Sequence, residues 1–309
     1  MKPIRIGTRG SKLALWQAHH VADMLAQENM PSEIVIITTK GDVLLDRSLA
    51  KIGAKGVFTE ELEVSLRTGH IDLAVHSAKD VQSTIPDDLE LLAFMRRERV
   101  NDVVVSFDTT LDLHRPDLVL GTSSTRRKAM LQRYYPNATT AEARGNLQTR
   151  LRKLEEGQYH ALVLAYAGVH RMEYDNLIRH VLPEKQFVPA TGQGSVAIEC
   201  ARSLDDSLKA DLQRVLDHAA THTCLSAERA FLRTMEGGCS IPSFALATFT
   251  TAGAVQLHGG LISLDGSQYI DETLHTANAE QAEALGTRVA ESVLSRGGQQ
   301  ILDEIRAVR

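Results

Sequence analysis

The sequence predicts an α/β protein in which two domains of alternating strands and helices precede a smaller α+β domain. Over the first two-thirds of the chain, short β-branched runs alternate with amphipathic helices, and this alternation is too long for one compact unit. The last third changes to consecutive strands and a closing helix. The chain has 309 residues, of which 43% are hydrophobic and 24% charged, so it can form two or three globular domains.

The first alternating region begins with the strand "IRIG" and the helix "SKLALWQAHHVADMLAQ". It continues with the strand "EIVIITT", the helix "FTEELEVSLRTGH" and the strand "IDLAVHSA". A hinge is predicted near Arg97 to Asn101, because the alternation restarts after it. The later strands are "LVLGTSS", "TTAEARG" and "ALVLAYAG", and the helices that follow them are "TRRKAMLQRYY", "NLQTRLRKLEEG" and "VHRMEYDNLIRHVL".

The last third predicts three strands and two helices. "FALATFT", "AVQLHGGLISL" and "SQYIDETLHT" are typical strands, and "LDGS" is a hairpin turn because Asp-Gly supports positive φ. One long amphipathic helix is expected from about Ala279 to the C-terminus. The helix "SAERAFLRTM" precedes these strands and is ended by "EGG", so Cys239 lies just beyond a helix end, where a side chain can face a cleft.

Composition excludes several classes of function. The net charge is −5, from 34 Lys and Arg against 39 Asp and Glu, so we expect no nucleic-acid partner. No apolar run approaches the roughly 20 residues that cross a bilayer, and "MKPIRIGTRG" lacks the core of a secretory signal. The three cysteines contain no CxxC pair, which argues against a disulfide framework. We therefore expect a cytoplasmic protein without a membrane partner.

A metal site formed by His218, His222 and Cys224 is disfavoured by the sequence. Their spacing matches no standard zinc pattern, and the residues fall around the start of a helix. We expect no metal.

Basic and hydroxyl residues cluster where predicted strands pass into helices, the place where α/β sheets bind ligands. Arginines in a helix's first turn oppose the helix dipole, which costs roughly 0.3–1 kcal/mol each unless an anion compensates. A solvated basic face explains any one cluster, but three at equivalent junctions favour a cleft for carboxylates or phosphates. The clusters contain Arg9 and Ser11; Ser123, Ser124, Arg126 and Arg127; and Arg144, Asn146 and Arg150.

"LAVHSAKD" places further polar residues at the end of a strand. Lys79 and Asp80 stand side by side after Ser77, where a carboxylate can accept N–H hydrogen bonds and stabilise a developing cation. The alternative is an exposed turn pair, and the motif alone does not separate the two. His76 is expected to be a strand histidine with a satisfied hydrogen bond rather than a catalyst.

The connection "KGDVLLDRSLAKIGAKGVF" is long and contains Gly and Lys. Loops of this length are often lids or binding loops, so Lys51 and Lys55 can meet anionic groups and Phe58 can cover them. A mobile surface loop is the alternative, and composition leaves it open.

Several long motifs occur in the order found in one known family. They are "GTRGSKLALWQA", "KGDVLLD", "KIGAKGVFTEELE", "DLAVHSAKDV", "GTSSTRR", "ARGNLQTRL", "LAYAGVHR", "PATGQGSVAIE" and "ERAFLRTMEGGCSIP". From about residue 4 to 245 the chain resembles the porphobilinogen deaminase family, also called hydroxymethylbilane synthases. The remainder fits that family's small C-terminal domain.

The resemblance implies two periplasmic-binding-protein-like α/β domains plus a small C-terminal α+β domain. The expected boundaries are 1–97 with 195–217 for a discontinuous first domain, 98–194 for the second and 218–309 for the third. The implied reaction condenses four porphobilinogen molecules head to tail, with release of ammonia, into hydroxymethylbilane. It uses a dipyrromethane cofactor attached to Cys239 through a thioether, lying across the cleft between the first two domains.

The resemblance also implies residue roles and partners. Asp80 matches the catalytic aspartate, expected as a buried negative charge opposite a forming cation. The protein is expected to be a monomer that hands its product to uroporphyrinogen-III synthase. The residues expected to bind the carboxylates of cofactor and substrate, or to lie beside them, are Arg9, Ser11, Lys51, Lys55, Phe58, Ser77, Lys79, Thr122, Ser123, Ser124, Arg126, Arg127, Arg144, Gly145, Asn146, Arg150, Arg171 and Gln193.

Three positions depart from the family's motifs. Lys40 replaces an arginine, Gln82 stands where proline commonly follows "KDV", and "VNDVV" replaces "DPRDA", which removes a basic residue near the hinge. These departures affect the expected details of cleft closure rather than activity.

Two other functions remain as alternatives. A binding protein without catalysis has the same paired α/β design, although Cys239 and the lack of a signal peptide argue against it. A thiol-dependent hydrolase or transferase would use Cys239 as its nucleophile, but no histidine is obviously placed as its base.

Overall fold

The computed structural model describes residues 2–39, 59–236 and 241–307. The chain divides into two compact units. The first unit comprises Met1–Glu98 and Gly194–His222, and the second unit comprises Arg99–Gln193 and Thr223–Arg309. Within the described stretches, no helix is both long enough and apolar enough to span a bilayer.

The described secondary structure contains strands and helices in the alternation that the sequence predicts. The strands are β1 (Ile4–Thr8), β2 (Ser32–Ile36), β3 (Leu73–Ser77), β4 (Leu89–Phe94), β5 (Asp102–Val105), β6 (Val119–Gly121), β7 (Thr139–Ala141), β8 (Ala161–Ala165), β9 (Ile178–Val181), β10 (Val196–Ala201), β11 (Ser243–Phe249), β12 (Val255–Ile262) and β13 (Tyr269–Thr276). The α-helices are α1 (Lys12–Gln27), α2 (Glu60–Arg67), α3 (Thr125–Tyr134), α4 (Leu147–Glu155), α5 (Tyr166–Arg171), α6 (Asp206–Leu216), α7 (Ala219–Thr234), α8 (Ala282–Val293) and α9 (Gln299–Ala307).

The first unit is built on a five-stranded mixed sheet in the order β2-β1-β3-β10-β4. β1 is parallel to β2 and β3, whereas β10 runs antiparallel to its neighbours β3 and β4. One hydrophobic cluster joins the sheet to α1 and α6 through residues such as Val21 and Leu212. A second cluster joins it to α2 through Leu62 and Leu66. The sheet is therefore covered by helices, which agrees with its nearly continuous apolar strands.

The second unit contains another five-stranded mixed sheet, in the order β7-β6-β8-β5-β9. β6 is parallel to β7 and β8, and β5 is antiparallel to β8 and β9. Because alternate residues of a strand face opposite sides, Val104 and Val103 enter different clusters. Met130 of α3 packs in the first cluster and Leu151 of α4 in the second.

A three-stranded antiparallel sheet, β11-β12-β13, occupies the last third of the chain together with helices. Its core contains Phe231 of α7, Leu257 of β12 and Val289 of α8. Phe244 and Ile262 of this sheet also pack in a cluster with residues of the preceding five-stranded sheet. This shared cluster accounts for the two sheets lying in one compact unit.

The expected fold class is confirmed: the chain is α/β, with a small C-terminal sheet and helices. The division into three domains at the expected boundaries stays a prediction.

Two helix predictions are wrong. The segment 169–182 was expected to be one helix, but α5 ends at Arg171, Glu173 has a φ of +62°, and the chain continues as β9. The segment Ile178–Val181 is a strand because it pairs with β5. Its backbone hydrogen bonds are made to that strand instead of within a helix. The C-terminal helix is broken into α8 and α9 at Gly297, whose φ of +109° is outside the helical region.

Gly286 of α8 permits close contact with α7, and this contact yields a testable prediction for the fold. A Cβ at position 286 would lie 2.8 Å from the Cβ of Ala230 and still closer to the carbonyl oxygen of Ala227. We expect Gly286→Ala to lower the free energy of unfolding by about 1–3 kcal/mol, because two packed helices must separate. Urea denaturation measures the change.

Ala284→Ser is the matched control, since it adds one heavy atom to an exposed position of the same helix. Its effect should stay below about 1 kcal/mol. Equal effects of the two substitutions would contradict close packing at Gly286.

Candidate functional site

The first unit carries its candidate residues at the carboxyl ends of β1 and β3. These strands are parallel neighbours, so their ends lie at the same edge of the sheet. Ser11 is the N-cap of α1, and its Oγ accepts a hydrogen bond from the backbone N–H of Ala14 at 3.3 Å. Arg9 lies between β1 and this cap and is half-buried.

Asp80 ends a short 3₁₀ turn, Ala78–Asp80, that follows β3 directly. The Nε2 of Gln17 in α1 donates a hydrogen bond to the Oγ of Ser77 at 2.9 Å. The backbone N–H of Ala78 donates to the carbonyl oxygen of Ser195 at 3.0 Å. Residues of α1 and of the segment before β10 therefore hold the start of this turn.

The Asp80 side chain is exposed, and Lys79 beside it is half-buried. The expectation of a buried carboxylate is wrong, because a three-residue turn packs only Ala78 inward. Over the described ranges, no side chain donates a hydrogen bond to the Asp80 carboxylate. Its oxygens are thus available to a ligand.

His76 is a satisfied strand histidine, as expected from the sequence. Its Nε2 lies 3.0 Å from Oε2 of Glu199 in β10, and both side chains are buried. The two histidines at the start of α7 also have partners: His218 contacts Thr221, and His222 pairs with Asp217. Where the structure is described, it contains no group of three or more His, Cys, Asp or Glu residues that could hold a metal ion.

In the second unit, two of the sequence clusters follow the parallel neighbours β6 and β7. Ser124 is the N-cap of α3 and accepts a hydrogen bond from the backbone N–H of Arg127 at 3.4 Å. The Ser123 Oγ accepts one from the backbone N–H of Ala143 at 3.1 Å. The N–H of Thr122 donates to the carbonyl oxygen of Ala141 at 2.9 Å. These bonds connect the two loops at one edge of the sheet.

The loop after β7 leads into α4. Asn146 is the N-cap of α4 and accepts from the N–H of Thr149 at 2.9 Å. The Arg150 Nε donates to the carbonyl oxygen of Gly145 at 2.8 Å.

A small ion-pair group lies beside that loop. Arg144 pairs with Glu142 at 3.1 Å, and Lys128 of α3 pairs with the same carboxylate. Arg171, at the end of α5, is half-buried.

Arg126 and Arg127, in the first turn of α3, are buried rather than solvated: only 4% and 7% of their surfaces are exposed. Both pair with one carboxylate, Asp102 at the start of β5, which is 0% exposed. Arg126 Nη2 donates to Oδ2 at 2.7 Å, and Arg127 donates to Oδ1 from Nε at 3.0 Å and from Nη2 at 2.7 Å. The compensating anion that the helix dipole argument required is thus present in the chain itself.

Gln193 joins this buried cluster. Its Nε2 donates to Asp102 Oδ1 at 2.9 Å and to the carbonyl oxygen of Val100 at 2.6 Å. Two further carbonyl oxygens are bound by guanidinium N–H groups, that of Val188 by Arg126 at 2.8 Å and that of Val163 by Arg127 at 3.1 Å. We refer to Asp102, Arg126, Arg127 and Gln193 as the buried arginine cluster.

The buried arginine cluster retains one positive charge, because two guanidiniums share a single carboxylate. Burial alone would raise the pKa of Asp102, but the charges of both guanidiniums and the hydrogen bonds from Arg127 and Gln193 outweigh it and hold the pKa well below its usual range. The Nε of Arg126 is buried and has no hydrogen-bond partner in the described structure. An excess cation with an unpaired donor can bind a further anion.

Sequence reasoning missed Asp102 as part of the site. The signal was present, because an aspartate that begins the apolar run "DVVV" must be buried and needs a partner. Four other expected residues, Lys51, Lys55, Phe58 and Cys239, lie outside the described residues.

The fold and this cluster define an α/β protein with a buried, positively charged polar centre. Residues 4–210 match the family model "Porphobilinogen deaminase, dipyromethane cofactor binding domain", and residues 222–295 match "Porphobilinogen deaminase, C-terminal domain". A protein of Cytophaga hutchinsonii named porphobilinogen deaminase is 53% identical over 306 residues, covering 99% of this chain and 97% of that protein. One of Desulfosudis oleivorans with the same name is 49% identical, covering 98% of each chain. The chain belongs to the porphobilinogen deaminase family.

Solved structures similar to the chain include a methionine binding protein and a domain of BvgS. The methionine binding protein MetQ is 12% identical with a TM-score of 0.44, covering 68% of this chain and 87% of that one. The VFT2 domain of Bordetella pertussis BvgS is 18% identical with a TM-score of 0.40, covering 69% and 85%.

The described residues fit the cofactor named by the family model. A dipyrromethane with acetate and propionate side chains is polyanionic, and the buried arginine cluster offers an excess positive charge and the unpaired Nε of Arg126. The Nε of Arg126 can donate one charge-assisted hydrogen bond to a carboxylate, since the other guanidinium nitrogens of the cluster already bind Asp102 or backbone carbonyl oxygens.

Asp102 yields the second prediction. We expect Asp102→Asn to lower the free energy of unfolding by about 3–5 kcal/mol at neutral pH, because two buried guanidiniums lose their shared charge. The difference from the unsubstituted protein should be constant between about pH 5 and pH 8, where Asp102 is ionised in both the folded and the unfolded chain. It should shrink as the pH falls below about 4, because the unfolded chain then takes up a proton that folded Asp102 does not.

Urea denaturation across this pH range measures both effects. Glu184→Gln makes the same chemical change at an exposed position of the second unit and should change stability by less than about 0.5 kcal/mol. A stability difference that grows on acidification would contradict the depressed pKa of Asp102.

Proposed function

We propose that the protein is a porphobilinogen deaminase: a transferase of tetrapyrrole biosynthesis that condenses four porphobilinogen molecules head to tail, with release of ammonia, into hydroxymethylbilane. The family match over residues 4–210 and 222–295 is the observation that carries this proposal. The positive buried arginine cluster supports it, because both the substrate and its product carry several carboxylates.

The proposed attachment point of the dipyrromethane cofactor is Cys239, in the motif "EGGCSIP". When bound, the cofactor supplies the primer from which the tetrapyrrole chain is extended. A cysteine thiolate is a strong, soft nucleophile, which suits formation of a stable thioether to an electrophilic pyrrole carbon. The proposed role of Cys239 is therefore to hold the growing chain rather than to turn over.

Asp80 is the proposed catalytic residue. Its exposed carboxylate stands at the carboxyl end of β3, where it can accept hydrogen bonds from pyrrole N–H groups. A fixed negative charge beside the reacting carbon stabilises the cation that forms as porphobilinogen loses ammonia. The ammonium group of Lys79, next in the chain, is proposed to bind a substrate carboxylate.

We propose that different arginines bind different carboxylates of the cofactor and the substrate. The buried arginine cluster is the most strongly fixed group, because each guanidinium also binds a backbone carbonyl oxygen. The more exposed basic residues of both units would bind the remaining acetate and propionate groups. They are Arg9, Arg144, Arg150 and Arg171, assisted by Lys51 and Lys55.

We also propose that the protein acts as a monomer in the cytoplasm and hands its product to uroporphyrinogen-III synthase. The product is a linear tetrapyrrole that must next be closed into a ring, so the class of enzyme that consumes it must act on a polyanionic open chain.

The third prediction concerns Cys239. The purified protein should have a mass above that of its sequence by one dipyrromethane, whereas Cys239→Ser should have the mass of the bare chain, because a serine hydroxyl is a much weaker nucleophile at neutral pH. Intact-protein mass spectrometry measures both. Cys224→Ser is the matched control, since Cys224 is buried and should leave the added mass unchanged.

Asp80 yields the fourth prediction. Asp80→Asn should reduce kcat by at least about 10²-fold, because the amide carries no charge to stabilise the cation. To measure turnover, porphobilinogen is added, the product is oxidised and the uroporphyrin that forms is quantified. Because Asp80 is exposed, urea denaturation should show unchanged stability.

These experiments also separate the two alternatives. A binding protein without catalysis would bind porphobilinogen and form no product. A thiol-dependent hydrolase would have a Cys239 that reacts with thiol-selective alkylating reagents at neutral pH, whereas a thioether forms no thiolate and would not react under the same conditions. Normal turnover by the Asp80→Asn protein would remove Asp80 from the mechanism.

A further inference from the structure

The turn that carries Asp80 has only one residue packed inward, so its position depends on how the chain is fastened at either side. On the N-terminal side, Gln17 binds Ser77 and the N–H of Ala78 binds the carbonyl oxygen of Ser195. These contacts hold the entry to the turn. The exit, two residues after Asp80, is Gln82.

Gln82 is hydrogen-bonded to the start of α2. Its Nε2 donates to Glu63 Oε1 at 3.0 Å and to Thr59 Oγ1 at 3.2 Å. Thr59 Oγ1 in turn donates to the same Glu63 oxygen at 2.7 Å. Both acceptors are buried, whereas Gln82 itself is half-buried. A surface amide is thus fixed by a carboxylate and a hydroxyl that the first turn of α2 holds in place.

The geometry of the intervening residue transmits this restraint. Val81 is extended, with φ −74° and ψ 137°, and its side chain is buried. Asp80 is therefore separated from the bound amide by one packed residue of defined conformation. Fixing the Gln82 side chain therefore restricts the backbone of residues 80–82 and, with it, the orientation of the Asp80 side chain.

We propose that Gln82 is a positioning residue: its amide, bound by Glu63 and Thr59, holds Asp80 in its reactive position. This inference rests on the proposed function, since it concerns the residue to which that function assigns catalysis. A purely structural role for Gln82 is the competing explanation. A half-buried amide at the exit of an exposed turn adds no apolar contact to the hydrophobic clusters of the first unit.

The first experiment replaces the amide. Gln82→Ala should lower kcat about fivefold to tenfold, the loss expected for a hydrogen bond to a carboxylate that acts through orientation. KM should stay within about twofold, because the groups that bind substrate carboxylates are untouched. Gln213→Ala is the matched control, since Gln213 is an exposed glutamine of the first unit in α6, and it should change neither constant.

The second readout is independent of the cofactor and of turnover. Amide hydrogen exchange, followed by mass spectrometry on a peptide spanning 77–83, should be faster in Gln82→Ala than in the unsubstituted protein. Exchange in α6 and in β1 should be unchanged, which separates a loosened turn from a general loss of stability.

The third experiment exchanges donor and acceptor. Gln82→Glu alone sets a second carboxylate against Glu63 and should lower kcat at least as much as Gln82→Ala. The double variant Gln82→Glu with Glu63→Gln restores one amide donor facing one carboxylate and should recover most of kcat. In the unsubstituted protein Arg67 pairs with Asp88 at 2.6 Å and lies 3.7 Å from Glu63, so we expect it to stay paired with Asp88 when Glu63→Gln removes the longer contact.

The outcomes are distinct. Unchanged kcat and exchange in Gln82→Ala would overturn the proposal, as would a double variant no better than Gln82→Glu alone. A fall in kcat with unchanged exchange would also overturn it, because Gln82 would then act on substrate directly. If the unsubstituted protein forms no product from porphobilinogen, the proposed function fails, and the exchange experiment still decides whether Gln82 holds the turn.

Discussion

The carboxylate of Asp102 determines how the polar interior of the second unit is arranged. It accepts hydrogen bonds from Arg126, from Arg127 twice and from Gln193, all within a region closed to water. Removing a charge from water costs several kcal/mol, and a buried ion pair is stable only when its geometry and remaining hydrogen bonds are favourable. Each partner here therefore has a fixed orientation. The first turn of α3 and the segment around Gln193 are held by the same two oxygens.

The sequence predicted those strands and helices whose local residue pattern favours the same structure as the tertiary contacts. Alternating β-branched and amphipathic segments predicted six of the ten strands of the two five-stranded sheets, β1 to β3 and β6 to β8, together with helices α1 to α4. No strand was predicted for β4, β5 or β10. The prediction failed for β9, because "LIRHVL" is compatible with either structure and only its pairing with β5, about 75 residues earlier, selects a strand. It failed again at Gly297, where a helical apolar pattern continues through a residue whose φ is positive. In both cases tertiary contacts override local preference.

The candidate site, too, could be predicted from the sequence only in part. The positions of the arginine and serine clusters at strand ends could be read from the sequence, because parallel strands bring their carboxyl ends to one edge. The sequence also indicated that Asp102 needs a partner, because it begins an apolar run. It could not indicate that this partner is the arginine pair, since only the fold brings Asp102 to Arg126, 24 residues away in the chain. Exposure of Asp80 likewise depends on the length of one turn. The contacts of Gln82 depend on side-chain reach, for which an isolated motif gives no signal.

The position of β10 has a consequence for how the protein is made. This strand lies between β3 and β4 in the first sheet, yet about 100 residues separate it from β4 in the chain. A ribosome releases residues in order, so β4 emerges long before β10, its neighbour in the sheet, exists and must wait without a paired strand on either edge. The five strands of the second sheet are all translated during that interval. The five-stranded sheet of the first unit is thus begun first and finished second, and a nascent chain stalled before Val196 would expose the edges of both β3 and β4 to other proteins.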